Sequence, residues 1–204
     1  MLITPQQIQE RRAPKALRQF AEDVRVAVRA DRSEFESGMQ RRGVYKKFLD
    51  EIEPLSQFAV LAYPDTNLVE PVLGNQGYDA VVYGADGQIV DRIELTKPFD
   101  GAIAAEDARE VLESGIGAFR VGEPGHDIED LIPIIERTCR DKAQNDYSDA
   151  TLVFVIPALP PFSGFEARYE EQLRRIKTSL ASTSYRAKRV FMFVPPLRLE
   201  RVDG

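Results

Sequence analysis

The stretch YDAVVYGADGQIVDRIELTKPFDG, residues 78–101, is the part of the chain whose pattern says most about the fold. Its Asp86-Gly87 pair is a turn signal between two runs of strand-forming residues. In the second run, apolar and polar side chains alternate as they do on the two faces of a strand. The stretch therefore predicts a β-hairpin, and each arm carries an acid, Asp79 in the first and Glu94 in the second.

Two helices are predicted before this hairpin. Apolar residues at spacings of three and four predict the first helix at 14–30. The second is predicted at 33–52, where Ser33 is a plausible N-cap and Glu36 completes a capping box.

Between the second helix and the hairpin, the sequence predicts extended or irregular structure. Pro54 is expected to end the helix, because proline cannot donate a backbone hydrogen bond. The apolar run at 57–63 is predicted as a short strand or buried extended segment, and 64–77 as turns. After the hairpin, strong helix formers predict a helix at 102–115.

The last third of the chain alternates helices with apolar strands. A helix is predicted at 128–147, beginning near 129–131 because Pro133 is tolerated only in a first turn. Unbroken apolar runs predict strands covered on both faces, separated by one helix. These elements are a strand at 151–159, a helix at 164–180 and a strand at 189–196.

Two such strands joined by a helix form a βαβ unit, and the hairpin adds antiparallel strands. The expected fold is therefore α/β, a three-layer α/β/α sandwich with a mixed central sheet. At 204 residues, one domain spanning 1–204 is sufficient. We expect an N-terminal helical segment, 1–53, packed on an α/β core at 54–204.

Composition limits the function classes. One cysteine and one histidine exclude a zinc site built from those ligands. No apolar run is long enough to span a membrane, and the N-terminus lacks the pattern of a secretion signal. A cytoplasmic protein with no membrane partner is expected.

Charge is unevenly distributed along the chain. Residues 11–47 contain eleven Lys and Arg against five acids, a local net charge of +6 in a chain of net charge −6. A basic segment of this kind could contact phosphates. The alternative is that these residues form mixed ion pairs on solvated helix faces.

The hairpin and the elements after it resemble the PD-(D/E)xK nuclease-like superfamily, as a divergent member of bacterial type. The residues that carry the resemblance are Tyr78-Asp79-Ala80, the run Ile93-Glu94-Leu95-Thr96-Lys97, and a helix ending in Lys-x4-Tyr, with Lys142 and Tyr147. It extends over roughly 51–194. It implies a restriction-endonuclease-like fold that acts on nucleic acid.

The resemblance implies that Asp79 and Glu94 are catalytic residues and ligands of Mg²⁺. Carboxylate oxygens are the hard ligands that this ion prefers. A bound metal ion lowers the pKa of water and neutralises charge on the phosphate under attack. Glu51 or Glu53, late in the second predicted helix, is a candidate for an additional acid.

The sequence departs from the family pattern at the lysine. The superfamily places it two residues after the acid, where this chain has Thr96. Lys97 is one residue further and should point to the other face unless the strand ends there. Lys142, on the helix predicted at 128–147, is the second candidate for the catalytic lysine.

Three functions follow. The first is a metal-dependent nuclease that hydrolyses phosphodiesters through Asp79 and Glu94, with Lys97 or Lys142 assisting. The alternative is a non-catalytic interaction or assembly module on the same fold, suggested by Thr96 and the acidic surface. The third, a small-molecule enzyme, has no nucleophile or phosphate-binding loop to support it. A homodimer is compatible with the first two, and a protein partner is open.

Overall fold

The fold was analysed in a computed structural model, which describes residues 3–39, 43–74, 76–98, 109, 113, 128–157 and 166–202. The described helices are α1 Pro5–Gln9, α2 Pro14–Ala30, α3 Arg32–Met39, α4 Val44–Lys47, α5 Glu53–Ala62, α6 Ile128–Ala143 and α7 Glu166–Ala181, with a π-helical turn at Phe48–Ile52 between α4 and α5. The strands are β1 Leu68–Pro71, β2 Ala80–Tyr83, β3 Ile89–Thr96, β4 Asp146–Val155, β5 Arg186–Val194 and β6 Arg198–Arg201.

The six strands form one mixed sheet in the order β1-β2-β3-β4-β5-β6. Strands β3, β4 and β5 are parallel, and the other neighbouring pairs are antiparallel. The parallel pair β4 and β5 is connected through α7, so the predicted βαβ unit is confirmed. The predictions of an α/β class and a mixed sheet are confirmed as well.

The predicted hairpin is formed by β2 and β3. Ala80 pairs with Ile93, and the Gly84 N–H donates to the Gln88 carbonyl at 2.8 Å across the turn. Gly87 has a φ of 77°, a conformation that glycine adopts without the steric penalty of a Cβ atom. The Asp-Gly pair therefore acts as the sequence indicated.

The two faces of the sheet contribute to two hydrophobic clusters. The first joins alternate residues such as Ile93, Leu95 and Val153 to the N-terminal helices α1, α2 and α5. The second joins Leu152 and Phe154 to residues of α6 and α7. Because side chains alternate along a strand, Glu94, between Ile93 and Leu95, belongs to the face that carries α6.

The prediction of an extended segment at 57–63 was wrong for 57–62, which belong to α5; Tyr63, directly after the helix, is extended. Pro54 does not end the helix; it lies in the first turn of α5, where its missing N–H is tolerated. The buried residues Leu55, Phe58 and Ala59 follow a helical spacing of three and one. A short apolar run has no periodicity that separates a strand from a buried helix.

Other boundaries also differ from the predictions. Strand β1 lies inside 64–77, which was predicted as turns, and β6 was not predicted. Helix α6 already includes Ile128, so Pro133 is inside the helix rather than in its first turn. Pro133 is exposed, where solvent can hydrate the carbonyl that proline leaves unbonded. Arg109 and Glu113 are helical; the rest of the predicted 102–115 helix lies outside the described residues.

Candidate active site at the hairpin carboxylates

Asp79 lies one residue before β2, and it continues the residue pairing between the two arms of the hairpin. Its N–H donates to the Ile93 carbonyl at 2.7 Å, and its Oδ2 accepts from the Leu95 N–H at 2.8 Å. Because Ala80 pairs with Ile93, Asp79 and Glu94 are the next two residues opposite each other. Side chains at such positions have Cβ atoms about 4.5–5.5 Å apart. The hairpin therefore brings the two predicted acids together.

Glu94 is paired with Lys142 across two elements of the fold. The Lys142 Nζ, near the end of α6, donates to Glu94 Oε1 at 2.5 Å. The Glu94 side chain is 14% exposed and that of Lys142 is 21% exposed. Lys142 also lies 5.5 Å from the centre of the Tyr147 ring. Of the two candidate lysines, Lys142 is the one that contacts a predicted catalytic acid.

Burial and mutual repulsion perturb the protonation of these acids. Burial is the largest cause that raises the pKa of Asp79 to about 6, and the negative charge of Glu51 is the second. The hydrogen bond from the Leu95 amide and the positive charge of Lys47 act to lower this pKa. Burial, and then the charge of Asp79, also raise the pKa of Glu94, against the effect of Lys142. Negative charge is thus concentrated at this edge of the sheet, and a cation there would relieve it.

Lys142 keeps its proton despite its environment. Burial acts to lower the pKa of Lys142, but the hydrogen bond and charge of Glu94 outweigh it, and the pKa is raised. Lys142 therefore presents an ammonium group to Glu94. It provides a fixed positive charge beside the two acids.

Glu51 approaches this site from the N-terminal helices. It lies in the π-helical turn, where the Glu53 N–H bonds to the Phe48 carbonyl five residues back. Lys47 Nζ holds both oxygens of Glu51, at 2.5 and 2.7 Å. Glu51 is close enough to Asp79 for its negative charge to raise the pKa of Asp79. Turns of this type occur frequently at functional sites.

The remaining candidates have other positions. Glu53 points towards α2, where the Arg25 guanidinium lies 3.7 Å from it, so Glu51 is the N-terminal acid that meets the hairpin. Lys97 directly follows β3 and is half-buried. Thr96, the last residue of β3, is 6% exposed. The lysines that act most strongly on the two hairpin acids are Lys47 and Lys142.

The donor set fits a magnesium ion held by two carboxylates. Mg²⁺ is commonly bound by one or two carboxylates, with water and substrate phosphate completing its six ligands. Asp79 and Glu94 lie opposite each other in the hairpin, and their side-chain carboxylate oxygens are hard ligands. Within the described ranges, no group of three or more His, Cys, Asp and Glu side chains is arranged to hold a metal ion.

A second buried acid, Asp91, serves a different purpose. It lies on the opposite face of β3 and accepts hydrogen bonds from the hydroxyls of Tyr63 and Thr151, at 2.7 and 2.8 Å. Arg189 forms an ion pair with it, and Lys188 Nζ is 3.4 Å away. Its oxygens are bonded by Tyr63, which directly follows α5, and by side chains of the sheet. Asp91 therefore connects the helical layer to the strands. Sequence alternation places Asp91 on the core face but does not reveal these partners.

The basic N-terminal segment is largely neutralised by ion pairs. Of the nine cations in this segment that the structure describes, seven have acidic partners within 4 Å: Arg11, Arg12, Lys15, Arg18, Arg25, Arg32 and Lys47. Most of these pairs are at least partly exposed. The described pairs follow the mixed ion-pair alternative.

Comparisons with known proteins add nothing to this geometry. No helix in the described part of the chain has both the length and the apolar character needed to span a membrane. No family model, no curated protein and no solved structure matches the chain.

Proposed function

We propose that the protein is a metal-dependent phosphodiesterase of the nuclease type, acting on nucleic acid, with a three-layer restriction-endonuclease-like fold. The observation that carries the proposal is the pairing of Lys142 with Glu94 beside Asp79. It combines two adjacent carboxylates and a fixed cation at one edge of a mixed sheet. The resemblance of the hairpin to the PD-(D/E)xK superfamily gives this combination its chemical interpretation.

Each residue has a definite part in the proposed reaction. Asp79 and Glu94 would hold Mg²⁺, which would supply Lewis-acid activation of water and charge neutralisation on the phosphate. Lys142 stabilises the negative charge that develops on the phosphate oxygens as the reaction proceeds. The Leu95 amide fixes the orientation of Asp79 through its hydrogen bond to Oδ2.

The hydrolysis can be written with every atom accounted for. A water oxygen bonds to phosphorus, and the bond from phosphorus to the departing sugar oxygen breaks. The proton released by the water passes to a second solvent water. The departing oxygen takes a proton from solvent.

Hydrolysis of labelled oligonucleotides tests the proposal. Single- and double-stranded DNA and RNA are incubated with Mg²⁺ or Mn²⁺ and the wild-type protein. We expect cleavage that Glu94→Gln reduces by at least about 10-fold, since even partners outside the metal's own ligands contribute about 10- to 100-fold. Glu200→Gln is the matched control. Glu200 also pairs with a lysine, because Lys177 Nζ lies 2.6 Å from its Oε2, but this pair is on β6 and not at the hairpin. Equal rates for both variants would contradict the proposal.

The second candidate is a non-catalytic interaction module on the same fold. Both hairpin carboxylates already have protein partners, Glu94 in Lys142 and Asp79 in the Leu95 amide. Carboxylates satisfied in this way can stabilise the sheet edge without a metal ion. Absence of cleavage together with absence of metal binding would favour this function over the nuclease.

A further inference from the structure

Thr96 carries a buried hydroxyl that the fold itself does not use. It is the last residue of β3 and is 6% exposed, and its Oγ1 has no hydrogen-bond partner within the described part of the chain. Burying a hydroxyl without a partner is unfavourable, and such groups are uncommon in folded proteins. A valine would fill the same volume without this penalty.

The contrast with other buried hydroxyls is clear. Thr151 donates to Asp91 and accepts from Arg189 Nε at 3.2 Å, and the Ser56 hydroxyl donates to the Glu53 carbonyl at 2.7 Å. Both are as buried as Thr96. Buried polar atoms without a partner also occur at Arg25, Gln57 and Tyr185 in the described part of the chain, but Thr96 is the one of these four that lies on β3, two residues after Glu94.

The position of Thr96 places it on the candidate active site's face of the sheet. Ile93 and Leu95 belong to the cluster formed with the N-terminal helices, so Glu94 and Thr96 are on the other face. Thr96 pairs with Phe154, which belongs to the cluster with α6 and α7. Two residues along a strand are about 6.6 Å apart, so Thr96 follows directly after Glu94 on that face.

We propose that Thr96 is a positioning residue whose hydroxyl orients the attacking water, an inference that rests on the proposed function. A hydroxyl can donate one hydrogen bond and accept another, so it can hold a water in a fixed direction but cannot supply positive charge. Lys142 supplies the charge from α6. Two tasks that a single lysine at residue 96 would perform are thus divided between Thr96 and Lys142.

The test compares Thr96→Val, Thr96→Ser and the control Thr151→Val. For Thr96→Val we expect an unchanged or higher urea midpoint, unchanged Mn²⁺ affinity by calorimetry, and kcat for oligonucleotide cleavage reduced about 10- to 100-fold. Thr96→Ser keeps the hydroxyl and should retain most of the kcat. Thr151→Val should lower the urea midpoint, because Thr151 has partners, and leave kcat unchanged.

The outcomes separate this inference from the proposed function. Cleavage by Thr96→Val at the wild-type rate, while Glu94→Gln is inactive, would overturn the inference and leave the nuclease proposal standing. A urea midpoint lowered as far as in Thr151→Val would also overturn it, because the hydroxyl would then have a structural partner. Cleavage that neither variant changes would overturn both proposals.

Discussion

The Nζ of Lys142 lies 2.5 Å from Oε1 of Glu94, so the end of α6 supplies a cation to the third strand of the sheet. Both side chains are mostly buried, and Asp79 adds a second negative charge nearby. A buried ion pair of this kind is costly to break on one side only, because the remaining charge has no partner. The pair thus couples the stability of the sheet edge to the chemistry proposed for it.

Replacing Lys142 by methionine should destabilise the protein in a pH-dependent manner. At pH 8 we expect a loss of about 1–3 kcal/mol in the free energy of unfolding, because Glu94 remains charged without its partner. At pH 5 the loss should shrink, since Glu94 can then take up a proton. Urea unfolding at both pH values measures the difference.

Lys177→Met is the matched control for that substitution. Lys177 pairs with Glu200 at 2.6 Å, but its side chain is 44% exposed. Solvent weakens such a pair, and its loss should cost less than about 1 kcal/mol at either pH. Equal losses for the two variants at pH 8 would show that burial does not strengthen the Lys142 pair.

Asp79 should make the metal-free protein more stable as the pH falls. Its pKa in the folded chain is about 6, above the ordinary carboxyl value, so the folded state binds the proton more tightly than the unfolded state. The charged Asp79 side chain therefore lowers the free energy of unfolding by its full amount above about pH 6. This destabilisation disappears as the pH falls towards about 4.

Asp79→Asn tests this pH dependence. The variant should be more stable than the wild type at pH 8 and similar to it at pH 4, because asparagine carries no charge at either pH. Asn can still accept the hydrogen bond that the Leu95 N–H gives to Oδ2. The urea midpoints of both proteins across this range provide the measurement, and parallel curves would contradict the assignment.

Asp91 should be a structural acid without a role in metal binding. Because it is 2% exposed and holds Arg189 and two hydroxyls, Asp91→Ala should destabilise the protein by about 3–5 kcal/mol. Asp86→Ala, at the exposed hairpin turn, should cost about 1 kcal/mol or less. Denaturant unfolding measures both, and Mn²⁺ calorimetry on folded Asp91→Ala should match the wild type. Loss of metal binding in that folded variant would contradict the structural role.

The hairpin turn should depend on the backbone of Gly87. Its φ of 77° is unfavourable for alanine, although a Cβ atom would meet nothing within 4 Å. Gly87→Ala should therefore destabilise the protein by about 1 kcal/mol through the backbone alone. At Gly77 a Cβ atom also meets nothing and φ is not positive, so Gly77→Ala should change stability by less than about 0.5 kcal/mol. Thermal unfolding of both variants checks the prediction.

Local patterns in the sequence were sufficient for the hairpin and the βαβ unit. The turn at Asp86-Gly87 and the alternation in β3 are properties of neighbouring residues, as are the long apolar runs in β4 and β5. The same alternation accounts for Asp91 and Glu94 lying on different faces of β3. It could not show that Asp91 has partners from distant elements.

The choice among candidate residues depends on how helices are placed on the sheet. Glu51 rather than Glu53 acts on Asp79, and Glu51 lies in the π-helical turn between α4 and α5, which the apolar spacing of the sequence did not indicate. Lys142 contacts Glu94 because α6 ends beside β3. Lys97 is close to Glu94 in sequence, but sequence distance did not decide which lysine forms that contact.

Calorimetric titration of Mn²⁺ into the wild type and into Asp79→Asn/Glu94→Gln tests the central claim most directly. It is carried out with and without a non-cleavable oligonucleotide, because phosphate oxygens are expected to complete the metal's ligand shell. We predict that the wild type binds the ion, more tightly with the oligonucleotide and more weakly below pH 6, where Asp79 takes up a proton. The double variant should bind none. Absence of binding by the wild type under both conditions, or equal binding by the double variant, would contradict a metal site at the hairpin carboxylates.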